Sequence, residues 1–280
     1  MKSRYLNCLG REIHFTEWGD ANAPTVIAWH GLARSSRDFD DFAAALAGRW
    51  HVVCPDTPGR GLSQWAVDPS REYCLEFYVE QAEALLDHLG LAKVHWVGTS
   101  MGGAIGTLAA ATRLRGRIRR LVLNDNGPEL AAPALERIKS YAGQPPSYAT
   151  VTELESYFRE IYASFGHLSD SQWRLLTEHS LRRLPDGRVT THYDPALVQQ
   201  FIHHPDDYAL WHAWDQLDLP VLCLRGEAST LLTVETAQAM RERGPRAAVA
   251  VIPDCGHAPA LNTPEQIGLI ERFLAAGETP

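Results

Sequence analysis

The chain has 280 residues, of which 45% are hydrophobic and 21% charged, and this composition excludes disordered, collagen-like and disulfide-scaffold proteins. Its formal net charge of −8, from 26 basic and 34 acidic residues, gives no electrostatic basis for binding nucleic acid or an anionic membrane. The basic residues within 113–120 are predicted to form a solvated helix end and turn. The length allows one large domain or two modest ones.

The cysteine spacing and the N-terminal sequence argue against metal-binding, disulfide-bonded, secreted and membrane-spanning proteins. The five cysteines show no CxxC or CxxH spacing, which argues against a zinc site or a disulfide framework. Residues 1–7 lack a signal-peptide apolar stretch, and no run approaches the roughly 18 apolar residues of a membrane span. We expect a cytoplasmic protein without a metal, cofactor, nucleic-acid or membrane partner. The oligomeric state stays open.

Short apolar runs alternate with amphipathic helical segments through the first 127 residues. A leading antiparallel hairpin is predicted over 5–18. Strands are then predicted at 24–29, 51–54, 94–97 and 120–123. Helices are predicted between them, at 38–47, 73–89 and 104–112. Strands separated by helices of this length predict right-handed crossovers and a mainly parallel sheet with helices on both faces.

The pattern changes after residue 127. Residues 128–215 carry helical segments rich in aromatic residues, and no buried strand is predicted there. The alternation then resumes, with strands predicted at 221–224 and 248–252 and helices at 234–243 and 264–275. The simplest interpretation is an α/β core formed by 1–127 and 216–280, with a helical cap of 128–215 inserted between them.

The strongest chemical signal is Gly98-Thr-Ser100-Met-Gly102, which follows a predicted strand and precedes a predicted helix. This is the context of a G-x-S-x-G nucleophile elbow, in which glycines permit a tight turn that exposes the serine hydroxyl. A serine nucleophile needs a base, and the chain order of serine, acid and histidine predicts a late histidine. His257, on the loop after the last predicted strand, is the expected base.

An oxyanion hole needs backbone N–H donors that point at one site. One donor is expected from Met101, the first residue of the helix after the serine. The other is expected from Leu32, in the loop after the first parallel strand. Gly31 and His30 of that loop are expected beside the substrate, with the His30 ring holding the loop rather than transferring a proton.

With these motifs the sequence resembles the α/β-hydrolase superfamily, specifically its single-chain members with a helical cap, over essentially the whole chain. The motifs that carry the resemblance are, in family order, His30-Gly31-Leu32, Asp56-Thr-Pro-Gly59-Arg-Gly61-Leu-Ser63, Gly98-Thr-Ser100-Met-Gly102-Gly103, Leu224-Arg-Gly226 and Gly256-His257. The resemblance implies the α/β-hydrolase fold and a hydrolase activity. It leaves the substrate open, because this fold hosts many chemistries.

The third member of the catalytic triad departs from the family pattern. In similar proteins an aspartate typically follows the strand that ends here at Leu224-Arg-Gly226, but this chain has Thr230 at that place. Asp125, at the end of the preceding strand, keeps the order of serine, acid and histidine and is the favoured replacement. Glu227 lies on the expected loop, three residues early. The third possibility is that the acid is absent, which would leave a weak enzyme or a ligand-binding descendant.

The predicted function is hydrolysis of a carboxylic ester of a small or medium hydrophobic substrate, through an acyl-enzyme on Ser100. Cleavage of a C–C bond in a ring-cleavage product, or of a lactone, would use the same residues. A non-catalytic small-molecule binder is the alternative from another class, motivated by the missing acid. Most cap aromatics are expected to pack within the cap, with Tyr157, Trp211 and Trp214 as candidates to line an apolar pocket above the serine.

Overall fold

A computed structural model describes residues 1–276, and its main feature is a mainly parallel sheet. The strands in chain order are β1 (Lys2–Cys8), β2 (Arg11–Trp18), β3 (Thr25–Trp29), β4 (His51–Pro55), β5 (Val94–Thr99), β6 (Ile118–Asn124), β7 (Ser147–Tyr148), β8 (Leu181–Arg183), β9 (Val189–Thr191), β10 (Val221–Gly226) and β11 (Ala248–Ile252). The central sheet has the order β1-β2-β4-β3-β5-β6-β10-β11. Its β1–β2 and β2–β4 pairs are antiparallel and the others parallel, which confirms the predicted hairpin and sheet.

Helices connect most of these strands. They are α1 (Asp40–Leu46), α2 (Pro69–Glu72), α3 (Leu75–His88), α4 (Met101–Ala111), α5 (Ala132–Ala142), α6 (Val151–Ile161), α7 (Asp170–His179), α8 (Gln199–His203), α9 (Trp211–Trp214), α10 (Val234–Glu242) and α11 (Pro264–Ala275). Capping residues mark several starts; Thr263, for example, accepts a hydrogen bond from the Gln266 N–H at the start of α11. None of the helices in residues 1–276 is long and apolar enough to cross a membrane.

The central strands are buried on both faces of the sheet. In β3, Ile27 and Trp29 belong to the hydrophobic cluster that includes α3 and α4, whereas Val26 and Ala28 belong to the cluster that includes α1 and α11. This alternation follows from the period of two along a strand. Because the parallel strands run in one direction, the loops at their carboxyl ends meet at one edge of the sheet.

The segment between β6 and β10, residues 128–215, is called the cap below. It contains α5 to α9 and also a small antiparallel sheet in the order β7-β9-β8, whose strand β9 is buried, so the prediction that it contains no buried strand is wrong. These strands are two or three residues long, too short to show a period of two in the sequence. The turn Pro185-Asp-Gly187, with Gly187 at φ +86°, is the signal that could have indicated the β8–β9 hairpin.

The cap has a small hydrophobic core and polar contacts to the main core. Its core comprises Leu154, Phe158, Trp173 and Val189. The Asp194 N–H donates to the carbonyl oxygen of Gly59 at 2.7 Å, and the Tyr73 hydroxyl donates to the Asp194 carboxylate at 2.6 Å. Asp194 therefore fixes the cap on the glycine-rich loop that follows β4.

The basic residues within 113–120 follow α4 and form surface ion pairs. Arg113 pairs with Glu80 of α3, and Arg117 pairs with Asp87 at 2.7 Å. These contacts fit the predicted solvated helix end, whereas Arg119 and Arg120 belong to β6, so the prediction is wrong for these two residues.

Candidate active site

Ser100 lies at the sharp turn between β5 and α4. Its backbone has φ 53° and ψ −117°, a conformation that residues with side chains rarely adopt. The flanking glycines are required by space: a Cβ atom on Gly102 would lie 2.0 Å from the carbonyl oxygen of Trp29, and one on Gly98 would lie 2.2 Å from that of Gly102. The local sequence therefore builds the elbow and presents the serine at the carboxyl edge of the sheet.

His257 lies in the loop between β11 and α11. Its Nε2 is 2.9 Å from Oγ of Ser100, although the two residues are 157 positions apart in the chain. They meet because β5 and β11 end at the same edge of the sheet. The imidazole is partly exposed, with 23% of its side chain accessible, so that a molecule bound at Ser100 can reach it.

Asp125 lies directly after β6, and its carboxylate is fully buried. Its Oδ2 is 2.7 Å from Nδ1 of His257 and accepts a hydrogen bond from the Ser229 hydroxyl at 2.6 Å. Its Oδ1 accepts a hydrogen bond from the Gly226 N–H at 2.8 Å. Of the three possibilities for the acid, the geometry therefore favours Asp125.

The loop after β10 contacts the Asp125 carboxylate through Ser229, and its two sequence-predicted positions lie away from His257. Glu227 and Thr230 are both exposed, and among residues 1–276 neither is hydrogen-bonded to His257. Ser229, between them, is buried and reaches the carboxylate. Sequence reasoning missed Ser229, although it directly precedes Thr230 in the sequence.

Two backbone N–H groups beside Ser100 are available to a ligand. Met101 is the first residue of α4, where N–H groups have no acceptor within the helix. The N–H of Leu32 makes no backbone hydrogen bond in the described part of the chain. The Leu32 loop is close to the serine, because a Cβ on Gly31 would lie 3.6 Å from that of Ser100. The two amides can therefore form an oxyanion hole.

A buried arginine connects these two positions, and sequence reasoning missed it. Nε of Arg60 donates to the carbonyl oxygen of Leu32 at 2.8 Å, and Nη2 lies 3.7 Å from the sulfur of Met101. The guanidinium lies between the rings of Tyr73 and Tyr78, at 5.2 and 5.3 Å from their centroids. The only sequence signal was an arginine between two glycines.

His30 holds the Leu32 loop and does not line the cavity, so its expected place beside the substrate is wrong. The ring is fully buried; Nε2 accepts from the Thr57 N–H at 2.9 Å, and Nδ1 lies 2.7 Å from the carbonyl oxygen of Gly31. Burial lowers its pKa to about 4, so the ring is neutral at physiological pH. The neutral ring donates from Nδ1 and accepts at Nε2, as these contacts require.

Comparison with known proteins gives the family of the chain. Residues 24–264 match the family of the α/β hydrolase fold. The chain belongs to the α/β hydrolase family. The hydrolase is 40% identical over 270 residues to the 3-hydroxybutyrate-oligomer hydrolase of Cupriavidus necator, covering 93% of this chain and 92% of that protein.

Two further comparisons extend this result. The hydrolase is 26% identical over 263 residues to the pimeloyl-[acyl-carrier protein] methyl ester esterase of Nitrosomonas europaea, covering 91% of this chain and 96% of that protein. The crystal structure of an α/β hydrolase from Novosphingobium aromaticivorans superposes with a TM-score of 0.87 at 35% identity, covering 98% of this chain and 97% of that one. Named relatives are hydrolases and esterases, so the protein is an enzyme, and the non-catalytic binder is not retained.

A cavity of about 660 Å³ lies at Ser100 and His257, with walls from both the core and the cap. Gly31 and Leu32 line it from the core side. Its apolar lining includes Ile138, Tyr157, Tyr162, Phe165, Leu168 and Leu176. The volume is within the usual range for small-molecule sites, so the cavity can enclose a compact organic substrate.

Trp211 and Trp214 do not line this cavity, and their expected place in the pocket is wrong. The Trp214 ring is fully buried and donates to the carbonyl oxygen of Arg243 at 3.1 Å, while the Arg243 guanidinium lies 4.2 Å from the ring centroid of Trp211. Their helix, α9, packs against α4 just before the chain returns to β10. These rings anchor the end of the cap, and aromatic content alone could not reveal their direction.

Three arginines line the cavity, and two of them are neutralised. Arg34 pairs with Asp38, with Nε 2.9 Å from Oδ2, and Arg37 pairs with Asp40, with Nε 2.8 Å from Oδ2. Arg137 of α5 has no ion pair with any residue that the structure describes. It is therefore a cation available to a bound anion.

The residues of the site are not arranged for a metal ion. Within residues 1–276, no group of three or more histidine, cysteine, aspartate or glutamate side chains has metal-binding geometry. The five cysteines are all buried and free.

Proposed function

We propose that this hydrolase cleaves carboxylic esters through an acyl-enzyme on Ser100. The observation that carries the proposal is the continuous line from Oγ of Ser100, through both ring nitrogens of His257, to the buried Asp125, with separations of 2.9 and 2.7 Å. In this arrangement an otherwise weak serine nucleophile has a base, and the base has a carboxylate that orients it.

The proposed reaction has two halves. Ser100 Oγ attacks the ester carbonyl carbon while Nε2 of His257 takes the hydroxyl proton and Asp125 stabilises the imidazolium. The N–H groups of Leu32 and Met101 donate to the oxyanion. His257 then returns the proton to the leaving alcohol oxygen as the C–O bond breaks. In the second half, His257 deprotonates a water molecule that attacks the acyl carbon, which releases the acid and regenerates the serine.

Substitutions at the proposed triad test the reaction. We expect Ser100→Ala to abolish hydrolysis of a p-nitrophenyl ester, and Asp125→Asn to lower kcat about 10⁴-fold because the imidazole loses its orientation. Glu227→Gln is the matched control, since this exposed carboxylate does not contact His257. Thermal unfolding checks that each variant folds. Full activity in folded Asp125→Asn protein, or ester hydrolysis by Ser100→Ala, would contradict the proposal.

For the substrate, we propose short ester oligomers of a hydroxy acid. The support is the 40% identity to a 3-hydroxybutyrate-oligomer hydrolase, together with a cavity of about 660 Å³ that has mostly apolar walls. Such an oligomer has an uncharged backbone of ester units and one free carboxylate. Arg137 is a suitable partner for that carboxylate because the other two arginines of the cavity are already paired.

The carboxylate contact is tested with the free acid and the methyl ester of one 3-hydroxybutyrate trimer. We expect Arg137→Met to raise KM several-fold for the free acid only. Glu160→Gln removes an anion from the cavity lining and should lower KM for the free acid. Lys139→Met on the same helix is the control, because Lys139 pairs with Glu136 and does not line the cavity. Equal effects of Arg137→Met on both trimers would refute the contact.

A further inference from the structure

The main chain around His257 is held by a short segment of the cap, residues 162–167, called the clasp below. The Ser164 hydroxyl donates to the carbonyl oxygen of His257 at 2.8 Å. The carbonyl oxygen of Ser164 accepts from the N–H of Gly256 at 2.7 Å. One clasp residue thus bonds the main chain on both sides of the histidine.

Two more hydrogen bonds join the clasp to the same loop. The Ala260 N–H donates to the carbonyl oxygen of Phe165 at 3.0 Å, and the Asn262 side-chain amide donates to that of His167 at 3.1 Å. The core contributes further bonds, one of which runs from the Asn124 amide to the loop carbonyl oxygen of Pro259 at 2.8 Å. The loop that carries the base therefore depends on the cap as well as on the sheet.

Glycines allow the clasp and the loop to approach closely. A Cβ atom on Gly256 would lie 2.9 Å from Cβ of Ser164, and one on Gly166 would lie 2.7 Å from the sulfur of Cys255. Gly166 also has φ +94°, which favours glycine. The clasp and the loop are therefore closely packed, with no space for a side chain at Gly256 or Gly166.

The clasp also contacts the Leu32 loop and lines the cavity. The Arg34 guanidinium lies 4.7 Å from the ring centroid of Tyr162, and the backbone N–H of Arg34 donates to the carbonyl oxygen of Gly31. Tyr162, Ser164 and the residues beside them line the cavity. A substrate in the cavity therefore lies against the segment that holds the base.

We propose that Ser164 is a positioning residue, through which the cap sets the distance between His257 and Ser100. The inference rests on the proposed function, because it requires His257 to act as the base. Enzymes lose rate steeply when a reacting group moves by as little as about 1 Å. The Ser164 hydroxyl, which is bonded to the His257 carbonyl oxygen, thus affects the chemical step by positioning the base rather than by acting as a catalytic group.

The test compares Ser164→Ala, Ser164→Thr and Ser156→Ala in the full chain. Ser156 is the matched control, because its hydroxyl also donates to a backbone carbonyl in the cap, that of Thr152, away from His257. We expect Ser164→Ala to lower kcat on a p-nitrophenyl ester about fivefold, as the loss of one hydrogen bond suggests, with KM unchanged within about twofold. Ser164→Thr keeps the hydroxyl and should restore kcat, and Ser156→Ala should match the wild type.

A second readout is the rate at which a fluorophosphonate labels Ser100, which needs the same base but no turnover. We expect labelling of Ser164→Ala to slow in parallel with kcat while the thermal midpoint stays that of Ser156→Ala. Wild-type kcat in Ser164→Ala would overturn the inference, as would a loss of kcat that follows a lowered thermal midpoint and is not restored by threonine. If the wild type itself shows no Ser100-dependent hydrolysis or labelling, the proposed function fails first.

Discussion

At the scale of single residues, the proposed acid depends on the groups that hold its carboxylate. Asp125 is fully buried and accepts hydrogen bonds from Ser229 and Gly226 as well as facing His257. Hydrogen bonds to a charged group are stronger than those between neutral groups, so each donor helps to keep the carboxylate ionised and in place. The serine is the one donor that a substitution can remove without changing the backbone.

We expect Ser229→Ala to lower kcat about tenfold, because the remaining donor leaves one carboxylate oxygen with the imidazole alone. Steady-state kinetics on a p-nitrophenyl ester measure this loss. Ser156→Ala is the control, since its hydroxyl donates to the carbonyl oxygen of Thr152, away from Asp125 and the cavity. An unchanged kcat in Ser229→Ala would mean that Asp125 needs only His257 and Gly226.

At the scale of elements, the cap has its own small core, in which Phe158 is fully buried. We expect Phe158→Ala to lower the local stability of the cap by about 3 kcal/mol, the usual cost of such a cavity. Hydrogen exchange should show faster exchange of α6 and α7 amides, with the β5 amides unchanged. Ile202→Ala, at a 61% exposed position, is the control and should change neither. Equal acceleration in β5 would show that cap and core unfold together.

The elements that the sequence predicted are those with a long pattern or a specific turn. The buried strands and α3, α4 and α11 follow from apolar spacing, and the elbow follows from its glycines. The β8–β9 hairpin was missed because its strands are too short to show a pattern. The direction of Trp211 and Trp214 was missed because spacing gives no information on which surface a ring faces.

The contacts of the site could be predicted only in part. Ser100 and His257 follow from motifs that are local in the chain. Asp125 was one of three possibilities, because its contact with His257 spans 132 positions and depends on the order of strands in the sheet. Ser229 contacts the proposed acid and Arg60 contacts the two residues of the proposed oxyanion hole, and no local pattern in the sequence marks such contacts.

At the scale of the whole molecule, the buried neutral His30 links folding to pH. Its pKa is about 4 in the folded chain and near 6.5 when exposed, so the unfolded chain binds the proton more readily. This contribution to stability is complete above pH 6.5 and is lost as the pH falls towards 4. The loss amounts to about 3 kcal/mol.

We expect the free energy of unfolding of the wild type, measured with urea, to fall by this amount between pH 7 and pH 4 through the protonation of His30. His30→Gln should be less stable at pH 7 but should lack that part of the slope, because glutamine does not titrate. His203→Gln, at an exposed position, should keep the wild-type slope. The same slope in His30→Gln as in the wild type would assign the pH dependence to other groups.

The position of Asp125 after β6 affects how the specificity of this hydrolase can diverge. Because the proposed acid follows the preceding strand, β6, Thr230 does not have to contact His257. Thr230 lies exposed on the cavity wall. A residue that served as the acid could not vary without loss of rate. Here the same place is free to change under selection or in a mutant library. We therefore expect single substitutions at Thr230 to change which ester is preferred, while the reacting groups remain as they are.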